Sequence, residues 1–250
     1  MKRLIKGFYM ALSMFCAVPM PKLWDETCTG IMMPCLPVVG SVIGAIWWGV
    51  ARLLALLGLH TALAAAIIAF APFFITGYIH LDGLMDTSDA VLSRRPLEEK
   101  IRILKDPHTG AFAVITLVIA LLTQYSASFA VIEKQNHLSL LIMIPVVSRC
   151  GSAISVLCLK PARYSGYVSI FRQNTGAAHK VFTIAAAVAA IILAYVLAGV
   201  SGAAVIMVTA LGYTAAMAYA YSGFRFVSGD LAGFALVVSE LCGLIALAVI

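Results

Sequence analysis

The sequence predicts an all-α fold, a polytopic membrane helix bundle of about seven transmembrane helices preceded by an N-terminal interfacial or re-entrant helix. Three observations carry that expectation. Hydrophobic residues fill 62% of the 250 positions and charged residues only 11%, whereas an average soluble domain is about 25% charged. Mean hydropathy is +1.02. The apolar stretches also recur in windows of about 20 residues, the length a helix needs to cross the hydrocarbon core. We expect one integral membrane domain over 1–250, with no room for a separate soluble unit.

The chain opens Met1-Lys2-Arg3 and then runs apolar over 4–18. This has the basic start of a signal peptide, but Pro19-Met20-Pro21 follows where a small-residue cleavage site would stand, so the segment reads as retained. At about fifteen residues it is short for a span and is expected to lie at the interface. Spans are expected near 38–57, 61–80, 111–132, 138–159, 181–200, 203–222 and 231–250. Gly40 and Gly44 form a small-xxx-small pair, and alanines crowd 62–71 and 185–190. Such surfaces let helices pack closely in lipid.

Charge orients the bundle. Fourteen of the 17 Lys and Arg residues fall in loops on one side of this arrangement. Lys134 lies opposite, and Arg52 and Arg149 sit inside spans. The positive-inside rule places the basic side in the cytoplasm, in an inner-membrane setting. Membrane topology therefore accounts for the formal +6, with no nucleic acid partner required. The six cysteines show no metal-binding spacing and read as reduced and structural. The sequence leaves homo-oligomerisation open.

After the second expected span comes HLDGLMDTSDAVLSRRPLEEKIRILKDPHTG, residues 80–110. Asp82, Asp86 and Asp89 stand at i, i+4 and i+7, within about 60° of one another on a helix. Three ionised carboxylates on one stripe repel, and a divalent cation relieves that repulsion. Mg²⁺ suits the pattern: it takes oxygen ligands, keeps waters, and is held by one or two carboxylates plus substrate phosphates. We therefore expect Asp82, Asp86 and Asp89 as metal ligands and catalytic residues, with Mg²⁺ as cofactor. Gly83 would let a phosphate or a backbone approach closely. His80 is expected to be catalytic, as a ligand or proton carrier, the alternative being an interface residue.

Polar groups inside the apolar spans add to the candidate set. A charge at the depth of Arg149 costs about 2.5–3.5 kcal/mol and must face a cavity or a partner, so Arg149 is expected to bind a phosphate or pair with an aspartate, the alternative being a purely structural ion pair. Asp230 and Glu240 are expected to line the substrate site. The loop at 160–180 brings Arg163, Tyr164, Arg172, Gln173 and Asn174 to the basic side, where Arg163 could hold an anionic substrate.

The run His80-Leu-Asp-Gly-Leu-Met-Asp-Thr-Ser-Asp89, with Lys105-Asp106-Pro-His-Thr-Gly110, resembles the signature of the cobalamin synthase family, the adenosylcobinamide-GDP ribazoletransferases. The resemblance spans most of the chain and includes Pro19 and Pro21, 37–40, Ser148-Arg149, Ala162-Arg163-Tyr164, and Gly229-Asp230 with Glu240. It departs at Ala90, at Pro107-His108 and at Ala17-Val18, where many relatives carry other residues. The resemblance implies a catalytic domain on the cytoplasmic face, with Lys105 and Asp106 joining the substrate-binding set. It implies that a ribose hydroxyl of α-ribazole or its 5′-phosphate attacks the cobinamide-side phosphorus of adenosylcobinamide-GDP and expels GMP. A CDP-alcohol phosphotransferase-like lipid enzyme also uses spaced aspartates and a metal, but its later Gly-x3-Asp-x3-Asp element is missing after Asp82. A transporter coupled through Arg149 and Glu240 lacks an inverted repeat.

Overall fold

A computed structural model describes residues 2–21, 23–162, 166–172 and 175–250. The helices are α1 (Lys2–Phe15), α2 (Thr29–Leu56, entered through a 3-10 turn at Glu26–Cys28), α3 (Thr61–Ile75), α4 (Ile79–Leu92), α5 (Leu97–Ile103), α6 (Ala111–Lys134), α7 (Leu140–Cys158), α8 (Gly166–Arg172), α9 (Ala177–Phe224) and α10 (Gly229–Val249). Among the described residues the only β pairing is an isolated bridge between Pro161 and Val227. The α2, α6, α7, α9 and α10 helices are long and apolar enough to cross a membrane, and the bent pair α3–α4 is a sixth candidate. This is a multi-pass, all-α membrane bundle.

The long α9 folds back on itself. Its 48 residues would reach about 72 Å if straight, more than twice the hydrocarbon core. The backbone breaks at Ala198 (φ −142°, ψ 19°) and Gly199 (φ 61°, ψ −150°). Glycine suits that positive φ because it has no Cβ to clash. Beyond the break, Gly202 lies so close to the Ala194 carbonyl that a Cβ would collide with it. The arms 177–197 and 200–224 are thus the two spans expected at 181–200 and 203–222.

Contacts define two ends. At one, Leu59, Leu138, Ala198 and Ile250 meet in one apolar cluster, and the Lys134 ammonium donates to the carbonyls of Ala248 and Val249 at 2.9 and 3.0 Å. At the other, Leu104, Ala162, Phe224 and Phe226 cluster with Ala90, and Thr29 Oγ1 donates to the Ile170 carbonyl at 3.4 Å. The described loop cations, Lys134 aside, belong to this second end, so the charge asymmetry of the sequence is a property of the folded bundle. Helix α1 lies there too, beside the start of α2. It buries Gly7, Met10 and Ala11 and leaves Leu4 and Ile5 exposed, as an interfacial helix does. Lys6 pairs with Asp25 at 3.1 Å, and Tyr9 donates to the Pro21 carbonyl at 2.6 Å.

Two expected boundaries are corrected. The first span begins at Thr29, nine residues before position 38, because the helix continues through Pro34 and Pro37. The second, expected over 61–80, ends at Ile75 and turns by 89° into α4. Thr76 Oγ1 donates to the Pro72 carbonyl at 2.9 Å, Gly77 and Tyr78 are left-handed at φ 61° and 63°, and the Ala17 amide caps the Ile75 carbonyl at 2.8 Å. A hydropathy window registers apolar length and is blind to such a turn. With 15 residues, about 22 Å, α3 alone falls short of the roughly 30 Å core.

Helices α2 and α7 cross at backbone distance. A Cβ on Gly40 would run into the Pro145 carbonyl, and one on Gly44 into the Ile142 carbonyl. Gly44→Val should therefore destabilise the detergent-solubilised protein by about 1–3 kcal/mol, read as a lowered thermal midpoint. Gly49→Val, where nothing stands within 4 Å of a Cβ, should leave that midpoint unchanged. Equal midpoints for the two variants would contradict the crossing.

Candidate functional site

The site is built where α4 meets α10. The two helices touch through glycines: a Cβ on Gly83 would come within 2.8 Å of the Asp230 carbonyl, and one on Gly233 within 3.6 Å of the Gly83 Cα. The close approach that Gly83 permits is thus made by a backbone. It carries Asp230, in the first turn of α10, to the acidic stripe of α4. Asp86 has Asp82, Asp230 and Asp89 as charged neighbours. Ser228 caps α10, accepting from the Leu231 amide at 3.3 Å, and its hydroxyl donates to Asp230 Oδ2 at 3.3 Å. Four carboxylates from two helices therefore form one group.

A cavity of about 450 Å³ opens beside them, lined by His80, Asp82, Ser228, Gly229 and Asp230 on one side. Asp82 and Gly229 are exposed, so the acidic side is the mouth. The His80 ring stacks on Phe15, centroids 6.4 Å apart and planes 14° from parallel. His80 Nε2 is buried and has no hydrogen-bond partner in the protein.

Asp89 faces a different element. Its carboxylate lies against Gly110, so closely that a Cβ there would collide with it. Gly110 is the N-cap of α6, whose positive dipole end favours a carboxylate. Asp106 serves its own turn: it accepts from the His108 amide at 2.9 Å and contacts His108 Nδ1 at 2.7 Å. The amide bond, followed by the ring, holds the Asp106 carboxyl below the usual carboxylate range. Lys105 precedes it, just beyond α5. Arg163, Tyr164, Gln173 and Asn174 lie outside the described residues, as does Lys22.

Arg149 and Glu240 come together with each other and not with the aspartates. Their side chains are 3% and 5% exposed and form an ion pair. Ser148 Oγ stands 3.0 Å from Arg149 Nη1 and 2.8 Å from Glu240 Oε1, completing a buried triad. The pair sits behind the site, since Arg149 is the charged group that His80 feels.

The sequence model of cobalamin-5-phosphate synthases matches residues 7–248. This chain belongs to that family. The adenosylcobinamide-GDP ribazoletransferase of Clostridium botulinum strain Alaska E43 is 38% identical over 245 residues, covering 98% of this chain and 97% of the relative. That of Clostridium perfringens strain ATCC 13124 is 34% identical over 251 residues, the full length of both. That of Geobacillus kaustophilus is 26% identical over 239 residues, 93% of this chain and 91% of the relative. No solved structure matches.

For a member of the cobalamin-5-phosphate synthase family, the fit of Mg²⁺ can be judged from the carboxylates themselves. Among the described residues no three His, Cys, Asp or Glu side chains converge on one point. The group is instead an open one at a cavity mouth, the donor set for a hard cation that keeps its waters and takes phosphate oxygens as further ligands. Asp82, Asp86 and Asp230 would hold such an ion, and Asp89 stands at the α6 terminus.

Several site features escaped the sequence reading. Ser228 ahead of Gly229-Asp230 is an N-cap signal that could have been read. Gly233, the partner of Gly83, carries no signal until the packing register is known. Phe15 and the apolar cavity wall are indistinguishable in sequence from core.

The buried pair yields a test. Removing one partner strands a charge, so Glu240→Gln should cost about 3–5 kcal/mol of stability. The double variant Arg149→Met, Glu240→Leu should recover most of it. Thermal unfolding in detergent checks this, and a double variant no better than the single one would contradict it.

Proposed function

We propose that this chain is an adenosylcobinamide-GDP ribazoletransferase, joining α-ribazole or its 5′-phosphate to adenosylcobinamide-GDP with release of GMP. The observation that carries the reading is the pairing of Asp82 and Asp230 at the mouth of one cavity at the basic end of the bundle, with Asp86 as their charged neighbour. A diphosphate donor with a bulky corrinoid can reach such a mouth from water without entering the bilayer.

In the reaction a ribose hydroxyl forms a new O–P bond to the cobinamide-side phosphorus, and the bond from that phosphorus to the oxygen bridging to GMP breaks. Mg²⁺ bound at the carboxylates would neutralise phosphate oxygens and the leaving GMP. The chain's own part is to bring the two substrates together and to take the hydroxyl proton on a cavity-lining side chain, Asp82, Asp230 or His80. The basic loops around the mouth attract the anionic donor. The positive-inside rule puts this face in the cytoplasm of a cell whose inner membrane holds the bundle. A CDP-alcohol phosphotransferase reading has no support, since the family match covers 7–248.

Purified protein should release GMP only when adenosylcobinamide-GDP and an α-ribazole species are both present, and no CMP from CDP-diacylglycerol. Chelation should abolish turnover and Mg²⁺ restore it. Asp82→Asn and Asp86→Asn should each lose at least about 100-fold in kcat, the scale of removing one charge-positioning group, while remaining folded. Metal-dependent CMP release without GMP would overturn the assignment. For sidedness, a cysteine at Arg95 in a cysteine-free background should react with an impermeant maleimide only once the inner face is exposed, and one at Gln135 from outside. The reverse pattern would invert the topology.

A further inference from the structure

The cavity behind the carboxylates has two chemically distinct halves. The mouth is polar. The inner wall, on the side of α2, α7 and α8, is apolar: Met33, Leu36, Val156, Val168 and Phe171 line it, all buried. Ser152 is the one hydroxyl on that side, one turn from Val156 on the same face of α7. Among the described lining residues there is no Lys or Arg.

Resting on the transferase reading above, we propose that this inner half is the binding pocket for the aromatic base of the acceptor nucleoside. The acceptor would then sit buried within the bundle, with its ribose at the carboxylates, while the donor's corrinoid and guanine stay outside. Three observations point this way. The volume of about 450 Å³ falls within the range of small-ligand sites, about 300–1,000 Å³. It suits a nucleoside and is far too small for a corrin ring bearing its amide side chains. The wall chemistry selects between the two remaining bases. A benzimidazole is a fused aromatic system without exocyclic polar groups, and its one unsubstituted ring nitrogen is its single hydrogen-bonding site. Guanine would bury an amino group, a carbonyl and a ring N–H against an apolar wall, each at a desolvation cost. Finally, His80 lines the same cavity as the apolar wall and the carboxylates of Asp82 and Asp230, so a nucleoside filling it places its ribose beside them.

The test is steady-state kinetics on the purified full-length protein, varying each substrate in turn. Val156→Trp fills the pocket and should raise the KM for α-ribazole about tenfold or more, with the KM for adenosylcobinamide-GDP changed less than about twofold. Leu36→Ala removes contact without adding bulk, so it carries the test if the tryptophan variant does not accumulate. It too should raise only the α-ribazole KM, and should favour acceptors with a larger aromatic base. Equilibrium dialysis gives an independent reading: α-ribazole should bind wild type without donor, and excess GMP should not displace it. A donor KM that rises as much as the acceptor KM, unchanged kinetics in folded variants, or displacement by GMP would each overturn the pocket assignment. Wild type that makes no GMP from the two substrates would instead overturn the transferase reading, so the two failures are distinguishable.

Discussion

The site depends on the backbone contact between α4 and α10. Four carboxylates repel one another, and separate helices would carry them apart unless something stronger held them. Gly83 and Gly233 supply that constraint. With no Cβ on either side, the helix axes come close enough for dispersion contacts along both backbones, and the Asp230 carbonyl is seated against Gly83. The acids are thus assembled by packing that is indifferent to their charge. A cation and a phosphate can then be bound by a group already in place, which is what preorganisation requires.

Charge is handled differently deeper in the bundle. Arg149, Glu240 and Ser148 satisfy one another in a closed set, linking α7 to α10. The mouth keeps an excess of negative charge facing water, and the interior keeps none in excess. Pairing the buried charges of Arg149 and Glu240 lets the acidic group sit at the edge of an apolar bundle.

Much of this was legible in the residues. The i, i+4, i+7 aspartates announce a helical acidic face, and Asp230 inside an apolar run announces a reason for being there. The loop cations reveal the two ends. What escaped was whatever depends on register between distant segments. Arg149 and Glu240 are 91 positions apart, and either could have faced a phosphate or a carboxylate on another helix. The bend after Ile75 rests on a left-handed Tyr78 and on a cap from Ala17, both results of tertiary packing. Met33, Val156 and Phe171 look like any buried apolar residues, since a cavity wall and a core differ only in what lies opposite.

The bend at Thr76–Tyr78 has a consequence for how the protein enters its membrane. An insertion machinery reading 61–92 meets a helix too short to cross and then three aspartates, each opposing insertion by about 2.5–3.5 kcal/mol at the centre of a span. That segment is a poor membrane anchor by itself. Its shelter is shared between α6, which follows it in the chain, and the glycine face of α10, which is synthesised only after α6, α7 and α9. The contact that brings Asp230 to the acidic stripe of α4 therefore needs the last helix of the bundle.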